Sequence, residues 1–239
     1  MPVHFTGYMV NMPKLMKLSK KHKIPIIEDA CQSILANINK KNAGTWGVSG
    51  AFSLHPLKNI NVWSDGGIVT TDKYKIYKKI SLLRNHGLIN RDKVEICGYN
   101  SRLDTFQAVV GNWLLPQAKS IAKKRINNAN YLDSRLSKIE GIDIPLRPRN
   151  YRVVYHLYIV FAQNRDKLYN YCLKKGIEAK IHYPIPIYKQ KALKGISGKK
   201  KFPNTDFQAK NLISFPCDQH LKKNQLDYII KIVNGFYKN

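Results

Sequence analysis

The sequence predicts an α/β fold, and three observations carry the prediction. Short apolar runs alternate with amphipathic stretches along the 239 residues. The first strand–helix–strand unit favours a parallel sheet closed by a right-handed crossover. The run Ile24-Pro25-Ile26-Ile27 ends in two acids, Glu28 and Asp29. Asp29 therefore stands at the carboxyl end of a strand, where such sheets place their ligands.

Pro2 to Phe5 reads as a strand and Gly7 as its turn. Asn11 is a good helix N-cap with Pro13 in the first turn, and Leu15, Met16 and Leu18 give the helix through Lys21 its apolar side. After the strand Ile24 to Ile27, a short helix is expected over Asp29 to Ala36. A polar hairpin-like excursion follows from Asn37 to Gly47, turned by Gly44 and Gly47. Gly50 to Leu54 reads as a buried strand that Pro56 stops, with Lys58 in the loop beyond. Asp65-Gly66-Gly67 turns the chain into a second strand, Ile68 to Thr71. Asp72 is placed to cap a helix reaching about to His86, with Ile76, Ile80 and Leu83 on one face and Gly87 as its stop.

Gly98 to Arg102 reads as a turn, and Leu103 opens an apolar helix that Pro116 should break. That helix suits either a subunit interface or packing within one chain. Ala118 to Lys138 is long, basic and amphipathic, and the domain junction is placed there. Gly141 to Asn150 reads as a linker or edge. The pattern then changes: Val153 to Phe161 reads as one strand buried on both faces, Asp166 to Lys175 as a helix closed by Gly176, and Ile177 to Ile181 as a strand. A loop over Gly195 to Asn204, a short strand Ile213 to Phe215 and an amphipathic helix Leu221 to Phe236 complete a small α/β unit. Trp63 is expected to pack rather than to stack on a ligand.

Lys58 stands apart from the many lysines on helix faces because two apolar strands flank it. Desolvation lowers the pKa of an amine and makes it a nucleophile able to form a Schiff base. The plain alternative is a solvated loop lysine.

Taken in order, Glu28-Asp29-Ala30-Cys31-Gln32, Phe52-Ser53-Leu54-His55-Pro56-Leu57-Lys58-Asn59, Asp65-Gly66-Gly67, Arg84-Asn85-His86-Gly87 and Gly98-Tyr99-Asn100-Ser101-Arg102-Leu103-Asp104 change that balance. Together they resemble the DegT/DnrJ/EryC1/StrS family of sugar aminotransferases, from Pro2 to the C-terminus. The resemblance implies a pyridoxal phosphate (PLP) enzyme of PLP-transferase fold type I: a truncated large domain with a mainly parallel sheet over residues 1–118, and a small α/β C-terminal domain with its linking helix over 119–239. It implies that Lys58 holds PLP and shuttles the proton. Asp29 pairs with the pyridinium nitrogen, which keeps the ring an electron acceptor. Gln32 lies beside the phenolic oxygen, and Ser53 contacts the phosphate. Asn100 reaches the phosphate of the neighbouring subunit's PLP, so that a homodimer shares its sites. His182 and Tyr183 match a segment near the sugar nucleotide, and His55 either approaches the substrate or is structural. The family's N-terminal segment, with its glycine-containing phosphate turn at a helix N-terminus and its stacking aromatic ring, has no counterpart here. That points to a truncated product, a fragment or half of a split enzyme.

The implied reaction is transamination of a nucleotide-linked keto-sugar with a donor such as glutamate, in the cytoplasm, for surface polysaccharide. The competing expectation is a non-catalytic structural or regulatory partner of an intact relative. The net charge of +26 invites a third, nucleic acid. Against it, the lysines are dispersed on helix faces such as Lys17, Lys20, Lys21 and Lys23, and neither a recognition helix nor an aromatic platform appears. Lys199-Lys200-Lys201 reads as a solvated loop, with a phosphate contact as the other use. Four cysteines lie far apart without a C-x-x-C pair, so reduced and mostly buried thiols are expected, with no disulfide framework and no metal site. Cys31 would lie beside the cofactor as filler. No apolar run reaches membrane-spanning length. His4 either lines the site or ends its strand.

Overall fold

A computed structural model describes residues 1–193 and 201–238. In chain order the elements are α1 (Met12–His22), β1 (Ile27–Asp29), β2 (Asn37–Ile38), β3 (Lys41–Asn42), β4 (Ser49–Ser53), β5 (Gly67–Thr70), α2 (Tyr74–Leu83), α3 (Thr105–Leu114) and α4 (Ala118–Leu136). They continue with β6 (Ile142–Asp143), β7 (Tyr151–Arg152), β8 (Tyr158–Ala162), α5 (Arg165–Lys174), α6 (Pro203–Asn211), β9 (Leu212–Phe215) and α7 (Lys223–Lys238). The chain forms two compact units: Met1–Lys123 with Pro148–His156, and Lys124–Arg147 with Leu157–Asn239.

In the first unit the sheet order is β1-β4-β5. β1 and β4 are parallel, with Asp29 opposite Ala51, and β5 is antiparallel to β4. Val3 adds a parallel bridge to Asp29. This single bridge is all that forms where a strand Pro2 to Phe5 was expected, because Phe5–Gly7 coils into a 3-10 turn with Thr6 at φ +62°. α1 starts as its sequence requires, with the Asn11 side chain accepting the Lys14 N–H at 3.1 Å. Its outer face is lysine-rich, and Lys17, Lys20 and Lys21 are exposed. Met9, Met12, Ile26, Ile38 and Val154 are the bulk of one core cluster, and Leu54, Ile60, Val62 and Ile121 of another.

The most constrained group in this unit is an acid. Glu28 is fully buried, and its carboxylate accepts four hydrogen bonds. His4 Nε2 and the Gly44 N–H reach Oε2, both at 2.9 Å; the Trp46 and Gly47 N–H groups reach Oε1 at 2.6 and 2.8 Å. His4 Nδ1 accepts the Val10 N–H at 3.3 Å. The proton therefore sits on Nε2, and the imidazole is neutral. The loop fits so closely because it has no side chains in the way: a Cβ at Gly47 would lie 2.2 Å from the Ile26 carbonyl oxygen, and one at Gly50 2.3 Å from the Gly44 Cα. His4 thus ends up as a core partner of Glu28.

Several expectations are corrected. No helix forms over Asp29 to Ala36; consecutive turns close Ser33 N–H on Ala30 O and Ala36 N–H on Ser33 O, with Leu35 in the left-handed region, which a helix cannot accommodate. α2 is not capped by Asp72: its N-cap is Lys73, without a side-chain bond, and Thr71 Oγ1 accepts the Lys73 N–H. The run Val153 to Phe161 is broken, since Tyr155 adopts φ +48° and pairing resumes only at β8. Ile177 to Ile181 makes one bridge, Lys180 to Ser214, and residues 203–204, expected in a loop, begin α6. The part of that loop up to residue 200, with Lys199 and Lys200, lies outside the described residues, and Lys201 is exposed. Trp63 is 69% exposed and tilts against the Phe106 ring.

In the second unit β6-β8-β9 is antiparallel. Leu132, Leu136, Tyr158, Leu168, Ile213 and Val233 are among its fully buried residues. Arg165, 8% exposed, spans the α6–β9 junction by donating to the Ala209 and Leu212 carbonyls. Tyr158 donates to Asp133, which also pairs with Arg147.

Burial alone would raise the Glu28 carboxyl, but the bonds from His4, Gly47, Gly44 and Trp46 outweigh it and its pKa lies below the ordinary 4.5. A folded-state value below the unfolded one gives stabilisation that is complete above pH 4.5 and lost as pH falls through the lower folded value. Glu28→Gln sets an NH2 group against at least one of the four donors. It should cost roughly 2–4 kcal/mol at pH 7 in urea unfolding, with the gap to the parent narrowing under acid. An equal loss at all pH values would contradict this account.

Candidate active site

β1 delivers two acids to opposite sides, because successive strand side chains alternate. Glu28 enters the core, and Asp29 faces the turn that follows, where its Oδ1 accepts the Cys31 N–H at 3.1 Å. The same turn brings round Gln32, whose Oε1 accepts the Thr6 N–H at 2.6 Å. That bond uses the amide oxygen and leaves the Nε2 hydrogens for another acceptor. On the neighbouring strand, Ser53 Oγ accepts the His55 N–H at 3.2 Å and keeps its own O–H to donate.

Pro56 then enters a tight turn closed by the Lys58 N–H on the His55 carbonyl at 2.8 Å. This turn returns Lys58 to the end of β4. Cys31, Gln32, Ser53, Lys58, Asn59 and His156 line one narrow pocket. Lys58 is half-buried there rather than sealed away. Asp29 borders the pocket through Cys31, whose thiol senses both charges. Burial and then Asp29 push the Cys31 pKa up to about 11, with Lys58 opposing.

Gln32, Ser53 and Lys58 are therefore brought together, with Asp29 beside them. Asn100 is exposed, bridges to Asn85 and does not line this pocket. His55 turns its Nδ1 to the Leu57 N–H at 3.2 Å. His182 and Tyr183 belong to the second unit. There the Ser214 O–H donates to the Lys180 carbonyl, so its oxygen accepts from His182 Nδ1–H at 2.9 Å. Burial, and then Lys180, lower the His182 pKa, which keeps the ring neutral. Tyr183 is 60% exposed.

Two lining residues escaped the sequence reading. Asn59 is buried, donates Nδ2 to the Val154 carbonyl at 3.2 Å, and leaves Oδ1 without a partner. The signal was its place directly after Lys58. His156 sat inside a run taken for continuous strand, and only the break at Tyr155 turns it to the pocket. Donors from Gln32, Ser53 and Lys58 suit the phosphate and phenolic oxygens of PLP, and the adjacent Asp29 carboxylate suits its ring N–H. Among the described residues no cluster of His, Cys, Asp or Glu could hold a metal ion.

The profile of the DegT/DnrJ/EryC1/StrS aminotransferase family matches residues 1–234. The chain is 32% identical, over 97% of its length and 62% of the relative's, to a UDP-N-acetyl-3-dehydro-α-D-glucosamine 3-aminotransferase of Acidithiobacillus ferrooxidans. It is 30% identical, over 100% and 65%, to a pleiotropic regulatory protein of Geobacillus stearothermophilus. Among solved structures, S. venezuelae DesV in complex with a ketimine intermediate superposes with a TM-score of 0.95 at 31% identity, covering 100% of this chain and 64% of DesV. The chain thus spans less than two thirds of the length of these proteins. Both the mixed α/β architecture and the matched profile lead to one assignment: this chain belongs to the DegT/DnrJ/EryC1/StrS aminotransferase family.

Proposed function

We propose that this chain carries the amine-bearing side of a PLP-dependent aminotransferase that acts on a nucleotide-linked keto-sugar, with an amino donor such as glutamate. The observation that carries the reading is the convergence of Lys58, Gln32 and Ser53 on one pocket, with Asp29 tied to its rim through Cys31. PLP, when bound, supplies an electron sink for negative charge developing on a substrate carbon. Lys58 Nζ would be the amine that holds the cofactor and that accepts and returns the substrate proton. The Asp29 carboxylate would pair with the ring nitrogen, Gln32 Nε2 would lie beside the phenolic oxygen, and the Ser53 O–H would serve the phosphate.

In this reading Asn100 serves the site of a second subunit in a homodimer, which agrees with its exposure and with its absence from the pocket lining. His55, His182 and Tyr183 are assigned to the substrate side. Residues 1–118, with the Pro148–His156 segment that belongs to the same unit, supply the cofactor-binding part, and the remainder of 119–239 the small domain. The product would be an amino sugar for surface polysaccharide, made in the cytoplasm. No helix among the described residues is long and apolar enough to cross a membrane.

A second reading has one observation behind it, the regulatory name of the Geobacillus relative: a non-catalytic partner of an intact family member. Incubation with PLP followed by borohydride reduction and peptide mapping separates the two. The aminotransferase reading expects label on Lys58, its loss in Lys58→Ala, and amino transfer reduced at least about a hundredfold in that variant. Label scattered over surface lysines, or none, would favour the regulatory partner.

Thiol chemistry gives an independent check of the pocket. Burial is the main cause that raises Cys31 and Cys172 to about 11 and Cys217 to about 12, whereas Cys97 is exposed. Brief alkylation of the folded protein at pH 7.5 or thereabouts should mark Cys97 first, by mass spectrometry. Rapid labelling of Cys31 would mean that the turn after Asp29 is not formed.

A further inference from the structure

We infer that Asn59 is a positioning residue for Lys58: its Oδ1 is the acceptor on which the Lys58 amine rests while that amine holds no cofactor. Both residues line the same narrow pocket. The side-chain oxygens of that lining belong to Gln32, Ser53 and Asn59. Gln32 Oε1 already accepts the Thr6 N–H, and Ser53 Oγ the His55 N–H. Asn59 is 9% exposed, and its Oδ1 accepts nothing. Lys58 is half-buried and forms no ion pair among the described residues. A buried amide oxygen without a donor costs free energy, and so does a partly desolvated ammonium without an acceptor. One contact between the two removes both costs.

Asn59 is the fixed member of the pair. Its Nδ2 donates to the Val154 carbonyl, 95 residues away in sequence, which settles which end of the amide is the oxygen. Ile60 and Val62, just beyond it, are buried in the core. The Val154 segment is held in turn, through the Val154 N–H on the Gly7 carbonyl at 3.2 Å. A Cβ at Gly7 would lie 2.8 Å from the Tyr155 nitrogen, so the two backbones are packed without slack. Lys58, by contrast, carries its charge on a flexible four-carbon stem. A fixed acceptor selects the rotamers that keep Nζ inside the pocket. The Asp29 carboxylate does not compete from the lining, to which it does not belong, and its Oδ1 takes the Cys31 N–H. A part for Asn59 in amino transfer rests on the reading of Lys58 as the cofactor lysine: it sets where Nζ waits before the cofactor arrives. The contact itself does not rest on that reading.

The test is the pH profile of Lys58 reductive methylation in the full chain without added cofactor, read by peptide mapping and mass spectrometry. Asn59→Leu removes the acceptor. The midpoint should fall by about one pH unit, so that labelling well below it runs about tenfold faster. Asn59→Asp puts a carboxylate in the same place and should raise the midpoint instead. Both variants lose the Nδ2 bond to Val154, so a merely structural role would move the two profiles the same way. Asp29, Cys31 and His156, on the elements packed around Lys58, and His55 on its own turn are the same in all three proteins. Profiles that stay in place, or that move together, would overturn the proposal. Should the variants unfold, the parent supplies the readout by NMR: the Asn59 side-chain amide should shift with pH at the Lys58 midpoint and lose that step in Lys58→Met. A step that persists there is equally fatal. Failure of PLP to label Lys58 would remove the enzyme reading and leave this contact standing, whereas unmoved profiles would remove the contact alone.

Discussion

The first unit depends on one buried carboxylate. Glu28 is held at zero exposure by donors from two stretches of chain: His4 near the N-terminus and the amides of Gly44, Trp46 and Gly47 in the loop before β4. Desolvating a charge in a protein interior costs several kcal/mol, and only a full set of hydrogen bonds offsets that. Once the set is complete, it fixes where the N-terminal segment, β1 and β4 meet. A hydrophobic residue at the same position would fill the space but leave three backbone N–H groups without acceptors.

The consequence for chemistry lies one residue further on. Strand alternation turns Asp29 away from the core as firmly as it turns Glu28 into it, so the anchor and the candidate cofactor-pairing carboxylate are two outcomes of one constraint. The turn at 30–36 then places Gln32 by means of the Thr6 N–H, and the turn at 55–58 returns Lys58 towards it. A rigid strand end with short turns on either side is how loops carry reactive groups without losing their geometry.

Much of the site was legible because its residues lie close in sequence to the strand ends that hold them. Asp29 and Lys58 stand out by their place at strand ends, whereas Gln32 and Ser53 are singled out by the family resemblance. Glu28 could not, because its partners lie 16 to 24 residues away and an acid at the end of an apolar run looks solvent-bound. The helix expected at 29–36 failed for a related reason: local propensity favours it, but hydrogen bonds to Asp29 and Thr6 pull the chain into turns, and Leu35 takes a left-handed conformation. Burial of Asn59 and the break at Tyr155 are tertiary effects with no local pattern. The exposure of Trp63, Phe106 and Trp113 is equally invisible to composition, which counts apolar residues without saying what covers them.

Gly44 and Gly50 touch through backbone alone, with 2.3 Å between the Gly44 Cα and the place a Gly50 Cβ would occupy. Neither has a side chain to give up, so enlargement at one cannot be compensated by trimming at the other. Most core contacts drift over evolutionary time by paired exchanges of volume. This one has no such path open to it. The loop around Glu28 should accordingly be inherited as a block, changing only if the acid it encloses is abandoned at the same time.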